Sequence, residues 1–402
     1  MNGKSMTMFV NPLRRTRRAV ALICIMAAGC SSPYTGPWNM RELSKAPKFE
    51  WAETTGPIKS LYYESEPYQG HATRVFTYYA APAGRRNVPG MVLVHGGGGK
   101  AFAEWVELWA NRGYAAIAMD LAGCGPDGKR LPDGGPDQGH DQKFNDLANG
   151  ITEAWSYHAV AAVVRAHSLL RAMPEVDPHR TGITGISWGG YLTCICAGLD
   201  PRYKVAVPVY GCGFYREDAR WARLLNRLSE ADRQRWHDNF DPSQYLPHCG
   251  APTLWLNGTN DLAFPLPIYQ KSYRLVRGPR TLCVTVGMKH SHPHGWAPKE
   301  IGLFVDSILK SGRPLAHFSS VECNNRQVNA SYKAAVPIEK AALHYTTDGG
   351  DWKERHWQTV PAKLEPNRVT AELPTDRGIV WFLTITDTRG ATVSTEHEAI
   401  NP

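Results

Sequence analysis

Four short stretches carry the residue types that chemistry at a carbonyl requires. "GITGISWGGYLTC" sets Ser187 between Gly185 and Gly189, after an apolar run and before a helical one. A serine hydroxyl attacks well only when it is lifted clear of its sheet and given a base, and the sharp strand-to-helix turn that lifts it tolerates only small flanking residues. "LWLNGTNDLAFP" ends an apolar run and presents Asp261. A carboxylate there can orient an imidazole and stabilise its protonated form, the plainer alternative being a turn residue after Gly258. "VGMKHSHPHGW" follows the next apolar run and places histidines at 290, 292 and 294. "HGGGGK", His95 to Lys100, follows an earlier run, and glycines there let backbone N–H groups face a developing oxyanion.

The histidine run admits two chemistries. Three imidazoles at alternate positions would share one face of an extended strand, as a zinc site begins. Pro293 bends that backbone and removes a donor, so no metal site is expected. Serine, aspartate and histidine each follow their own strand in that chain order, which makes the run the expected source of the general base for Ser187. The amides of Trp188 and of Gly97 or Gly98 are the expected oxyanion donors. The alternatives at the glycine run are a plain tight turn or a phosphate loop, and the second fails because Lys100 is followed by Ala101 rather than serine or threonine. Asp120, at the end of an earlier apolar run, is a weaker rival to Asp261 and is expected to be structural.

These residues need a scaffold of strands alternating with helices. From about residue 59, "KSLYYES" and "HATRVFTYYAAP" alternate like a half-buried antiparallel pair. Then come strand runs in "GMVLVHGG", "YAAIAMD", "RTGITGIS", "YKVAVPVYG", "PTLWLNG" and "TLCVTVG", with helical stretches such as "AFAEWVELWANRG" and "AWSYHAVAAVVRAHSLLRAM" between them. Continuous apolar strands separated by helices imply an α/β domain with a mostly parallel sheet covered on both faces, over residues 51–314. Two insertions interrupt it. Residues 121–152 read as a Gly/Pro/Asp-rich loop and 214–248 as one or two amphipathic helices. Trp221, Trp236 and Tyr245 in or near the second are open to two readings, a sugar platform or packing. Residues 315–402 turn to short alternating segments with hairpin turns, expected to form a small β-sandwich of the immunoglobulin/fibronectin kind that serves packing, spacing or binding.

At this point a resemblance is visible. Through "VLVHGGGG", "RGYAAIAMDLAG", "GISWGGYLT", "VPVYGCGF", "NGTNDLAFP" and "MKHSH", residues 59–314 resemble an α/β-hydrolase of the dienelactone hydrolase and prolyl-oligopeptidase superfamily, most similar to its acetylxylan-esterase-like bacterial branch. The resemblance implies a cofactor-free serine carboxylesterase for short acyl esters, plausible on carbohydrates, with Ser187 as nucleophile, Asp261 as acid and His290, the first histidine of its loop, as base. His292 is the alternative base and His294 a loop residue. Dienelactone hydrolases use cysteine where this chain has Ser187. A serine peptidase of the prolyl-oligopeptidase type is the second class, disfavoured by the short stretch ahead of the hydrolase pattern where those enzymes carry a propeller. A degenerate, non-catalytic core is the third.

Charge and cysteine usage bound the partners. The formal net charge is +8, but residues 1–29 hold Lys4, Arg14, Arg15, Arg17 and Arg18 and no acids, leaving +3 for the rest. With no Lys/Arg stripe interleaved with aromatics, no nucleic-acid partner is expected. The basic run, the short apolar stretch "AVALICIMAAG" and Cys30 read as an export signal over 1–29, with Cys30 lipidated to anchor the protein in a bacterial cell envelope, or as plain secretion. Residues 30–50 are expected to be a tether. Beyond Cys24 and Cys30 seven cysteines remain, an odd number, and without a CxxC pair for a thiolate zinc site.

Overall fold

The computed structural model describes residues 1–3 and 35–400; the expected export signal and Cys30 lie outside the described residues, apart from the first three positions. The apolar runs become nine strands: β1 (Phe49–Glu53), β2 (Ile58–Tyr68), β3 (His71–Ala80), β4 (Val88–Val94), β5 (Ala115–Met119), β6 (Val176–Ile186), β7 (Val205–Val209), β8 (Thr253–Gly258) and β9 (Arg280–Thr285). They form one sheet in the order β1-β2-β3-β5-β4-β6-β7-β8-β9. The pairs β1/β2, β2/β3 and β3/β5 are antiparallel, and every pair from β5/β4 to β8/β9 is parallel.

The helices are α1 (Met40–Leu43), α2 (Ala103–Asn111), α3 (His140–Phe144), α4 (Trp155–Ala172), α5 (Trp188–Leu199), α6 (Ala219–Leu225), α7 (Glu230–Phe240), α8 (Leu266–Leu275), α9 (His292–Trp296) and α10 (Lys299–Leu309). Side chains alternate across β4: Val92 and Val94 enter the cluster shared with α4 and α5, while Met91 and Leu93 enter the cluster shared with α2 and α10. Both faces being covered is why these strands read as unbroken apolar runs. Ile117 on β5 is fully buried, so trimming it to alanine costs about 2–5 kcal/mol.

Residues 35–50 differ from the expected tether. Trp38 is 2% exposed, donates from its indole nitrogen to the Tyr157 carbonyl at 2.9 Å and stacks on the Tyr157 ring. Leu43 is buried as well, and β1 adds an edge strand beyond β2. Polar composition around these residues conceals two anchors whose burial, at roughly 1.5–3 kcal/mol for a large apolar side chain, is enough to dock the segment.

The first insertion is less featureless than its composition, holding α3 and two short 3₁₀ turns. The second forms α6 and α7, started by side-chain caps: Asp218 accepts from the Arg220 and Trp221 amides, and Ser229 from the Asp232 amide. Trp221, Trp236 and Tyr245 are all 2% exposed or less. They pack; they do not offer a sugar platform.

After α10 come β10 (His317–Asn324), β11 (Gln327–Lys333), β12 (Ile338–Thr346), β13 (Gln358–Pro361), β14 (Lys363–Glu365), β15 (Arg368–Glu372), β16 (Ile379–Asp387), β17 (Thr392–Ser394) and β18 (Glu398–Ile400). Two antiparallel sheets result, β10-β11-β15-β14 and β13-β12-β16-β17 with β18 also on β16. This β-sandwich is bonded to the α/β domain: Ser394 Oγ accepts from the Val284 amide at 3.1 Å, and Glu300 accepts from the Thr392 amide at 2.8 Å. Its core residues Val328, Leu343, Trp381 and Ile385 join the cluster that contains Leu254 and Phe304.

Candidate active site

β6 runs straight into α5, and Ser187 is the residue at the corner. It sits at φ 58° and ψ −116°, in the left-handed region that a non-glycine residue enters only under constraint. Its amide donates to the Val209 carbonyl at 2.9 Å, which ties the corner to β7. A Cβ on Gly185 would lie 2.2 Å from the Gly189 carbonyl oxygen, and one on Gly189 would lie 2.0 Å from that of Val94. Both flanking glycines are therefore demanded by backbone packed against backbone.

Asp261 follows β8, with its carboxylate fully buried. Oδ1 accepts from the Ala263 and Phe264 amides at 2.8 and 2.7 Å, leaving Oδ2 for an imidazole. His290 supplies it: Nδ1 lies 2.7 Å from Asp261 Oδ2, and Nε2 lies 2.8 Å from Ser187 Oγ. With Asp261 ionised, Nδ1–H donates to the carboxylate and bare Nε2 accepts from the serine hydroxyl. The His290 ring lies over Tyr210, centroids 4.3 Å apart, and Tyr210 donates its hydroxyl to the Ser291 carbonyl, holding both ring and loop. A Cβ on Gly258 would meet the Met288 carbonyl oxygen at 2.7 Å, so this glycine lets the acid and histidine loops approach.

The other two histidines of the run turn elsewhere. His292 Nε2 accepts from the Gly96 amide at 2.9 Å, while its ring packs on Phe102. Burial, with His95 and His290 nearby, pushes its pKa down to about 4, so it is a neutral acceptor at pH 7. His294 is exposed, with Nδ1 2.7 Å from Ser291 Oγ. The three imidazoles thus face three different partners and do not converge.

The glycine turn is held from both sides. His95 donates from Nδ1 to the Gly96 carbonyl at 2.8 Å and accepts at Nε2 from the Leu121 amide at 2.9 Å. Its burial lowers its pKa to about 4 against that bond. The Gly99 amide closes onto the Gly96 carbonyl at 3.1 Å. The Gly96 amide is given to His292, while Gly97 and Gly98 are exposed residues of the turn. The Trp188 amide is the first of α5 and has no helical acceptor, and the positive end of that helix points at the serine corner. Preorganised donors of this kind stabilise charge that develops on a carbonyl oxygen.

Asp120 lies apart from this chain. Its Oδ1 caps the following loop through the Ala122 and Cys124 amides at 2.9 and 2.7 Å, and burial raises its pKa to about 6. A second Asp–His–hydroxyl chain exists at His167, bonded to Asp200 at 2.7 Å and Thr181 at 2.8 Å, but all three are at most 1% exposed. It joins α4 to β6 and the end of α5 and no substrate reaches it. Sequence reasoning missed Tyr210, the bond from Gly96 to His292, and Lys143 on α3, whose ammonium lies 4.5 Å from the centre of the Trp188 ring. A lysine inside a polar insertion carries no signal that would have singled it out.

Comparison with known proteins agrees with this architecture. The acetyl xylan esterase (AXE1) family matches residues 38–224. Among curated relatives, the acetyl esterase Axe7A of Xylanibacter ruminicola is 27% identical over 229 residues, 54% of this chain and 52% of that protein. The uncharacterized peptidase YuxL of Bacillus subtilis is 25% identical over 199 residues, 46% of this chain and 27% of that protein. The chain thus spans about half or less of the curated relatives it matches. Among solved structures, an acetyl xylan esterase from Paenibacillus sp. R4 superimposes with a TM-score of 0.55 at 23% identity, covering 67% of this chain and 92% of that one, which is a likeness of fold. Sheet order and structural likeness converge on one architecture: the chain has the α/β-hydrolase fold, and its residues 38–224 are similar to the acetyl xylan esterase family.

Proposed function

We propose that the protein is a serine carboxylesterase that removes short acyl groups, acetyl foremost, from carbohydrates. The observation that carries this is the unbroken hydrogen-bond chain from Asp261 through His290 to Ser187. In the cycle, Ser187 Oγ bonds to the ester carbonyl carbon as its proton passes to His290 Nε2. The carbonyl oxygen takes the negative charge and is held by the amides of Trp188 and Gly97 or Gly98. The C–O bond to the alcohol then breaks, and His290 returns the proton to the departing oxygen. Water, deprotonated by the same nitrogen, attacks the acyl-serine and regenerates the hydroxyl. Asp261 keeps Nδ1 protonated and offsets the imidazolium charge. The acetyl and carbohydrate parts of the reading are supported by the relatives' names, acetyl esterase and acetyl xylan esterase.

The relative named as a peptidase gives the same chain of residues a second reading, acyl transfer from an amide. Initial rates on 4-nitrophenyl acetate and acetylated xylobiose, set against dipeptidyl nitroanilides, separate the two. Ester turnover lost in Ser187→Ala, together with fluorophosphonate labelling of the wild type alone, is the expected result. Faster cleavage of the anilides would favour the peptidase, and activity surviving in Ser187→Ala would remove both.

A further inference from the structure

Lys143 is a lysine where lysines are seldom found. Its residue is 4% exposed, and among the described residues no carboxylate lies within ion-pair distance of its ammonium and no hydrogen-bond acceptor receives it; Asp137 acts on it only from farther away. Its contacts are aromatic faces: Nζ lies 4.5 Å from the centre of the Trp188 ring and 5.4 Å from that of Trp155. Cation–π attraction contributes about 0.5–2 kcal/mol, whereas burying an ammonium without a carboxylate in direct contact costs several. The position is nevertheless well built. The Lys143 carbonyl accepts from the Trp236 indole at 3.1 Å, and Phe144 beside it packs on both Trp188 and Trp236.

Its location gives a counter-charge in direct contact a place. Nζ lies 3.9 Å from where a Cβ on Gly97 would stand, and Gly97 itself is exposed. The ammonium therefore flanks the two residues, Trp188 and Gly97, whose amides we assign to the oxyanion. More positive charge shares this space: His140 on α3 is discouraged from protonating first by burial and then by Lys143, Arg220 and Arg227, the last two from the second insertion. Desolvation, opposed by the Asp137 carboxylate, lowers Lys143 itself to about 8, so it still carries its charge at pH 7.

We propose that Lys143 binds an anionic group of the substrate, so that the preferred ester carries a carboxylate within a few bonds of the carbonyl that Ser187 attacks. This rests on the serine-esterase reading above and narrows it from short acyl esters to acidic ones. Two sources share that chemistry. The carboxylate belongs either to the alcohol, as in an acetylated uronic acid, or to the acyl group, as in a dicarboxylic half-ester.

Matched pairs test it. Acetylated methyl glucuronoside is compared with its methyl ester, and 4-nitrophenyl hydrogen succinate with 4-nitrophenyl methyl succinate, at pH 7. In the wild type the anionic member of at least one pair should have a kcat/KM about tenfold or more above its neutral partner, the yield of one charge-assisted hydrogen bond. Which pair shows it identifies the source. In Lys143→Met, of similar length and greater apolarity, that ratio should fall to about one through KM, while Lys143→Arg restores part of it. A wild-type ratio near one in both pairs, or a ratio that Lys143→Met leaves intact, overturns the proposal. Calorimetry on Ser187→Ala protein keeps this separate from the esterase reading: glucuronate or succinate should bind, and the Lys143→Met substitution should abolish that heat. Hydrolysis of none of the esters by the wild type, with anion binding intact, would sink the esterase and leave the anion site standing; absent anion binding sinks the site.

Discussion

Replacing His290 and His292 separately by alanine distinguishes a base from a residue that shapes the site. His290 holds both contacts of the chain, 2.7 Å to Asp261 and 2.8 Å to Ser187. Without it the serine has no proton acceptor, and turnover should drop by a factor on the order of 10⁴ to 10⁶, the loss seen when a triad histidine is removed. His292 touches neither Ser187 nor Asp261; it accepts from the Gly96 amide at 2.9 Å. Deleting that acceptor leaves one buried N–H unmet, a cost of about 1–3 kcal/mol. If all of that is expressed as a displaced glycine turn in the transition state, kcat/KM falls by roughly 5- to 150-fold. His292→Gln, which keeps an acceptor, should recover part of the loss, and His290→Gln none. Steady-state hydrolysis of 4-nitrophenyl acetate, with circular dichroism to confirm folding, reads all four variants. A loss at His292→Ala as deep as at His290→Ala would refute the assignment and move the base two residues along the loop.

Two further outcomes concern the scaffold. His95 and His397 are buried and held near pKa 4, by burial first in each case, against about 6.5 in an unfolded chain. The fold prefers them neutral, so between about pH 4 and 6.5 the unfolded chain binds more protons and stability rises with pH, each histidine contributing on the order of 3 kcal/mol that is complete above pH 6.5. Asp120, raised to about 6 by burial, works in the opposite sense and offsets one of them in part. Urea midpoints should therefore fall clearly from pH 7 to pH 5, and an unchanged or higher midpoint at pH 5 contradicts the linkage. The second outcome contrasts two glycines. Gly189→Ala forces a Cβ to 2.0 Å from the Val94 carbonyl, backbone that cannot yield, whereas Gly98→Ala meets nothing within 4 Å and strains only its φ of +68°. The first should cost more than about 4 kcal/mol and the second about 1–2 kcal/mol. Equal melting temperatures for the two variants would mean the serine corner is not packed as described.

What could be read from the sequence, and what could not, divides along a physical line. Strands buried on both faces announce themselves as continuous apolar runs, so β4 to β9 and their alternation with helices were legible. Backbone crowding is legible too, because it excludes every residue but glycine: Gly185 and Gly189 mark the serine corner whatever lies around it. Order along the chain then places an aspartate after β8 and a histidine after β9. Contacts made by single side chains over long separations leave no such trace. Gly96 and His292 lie 196 positions apart, and nothing in "HSHPH" tells which imidazole turns toward the glycine turn and which toward the serine. Trp38 sits in a stretch composed like a linker, and its anchoring partner Tyr157 is 119 residues away.

Lys143 marks the limit of that reading most clearly, because charge and burial conflict there. A lysine in a polar insertion is ordinarily solvated, and composition assigns it to the surface. Its burial follows from the aromatic residues that surround it, Trp155 on α4, Trp188 on α5 and Trp236 on α7, drawn from three separate segments. Trp188 belongs to both stories, since its amide heads α5 at the serine corner while its ring supports the ammonium. The same residue thus couples the part of the site that any acyl transfer needs to the part that would choose among substrates. The first part is constrained by backbone geometry and visible as a motif; the second rests on side chains contributed by the insertions, where the sheet places no demand on sequence.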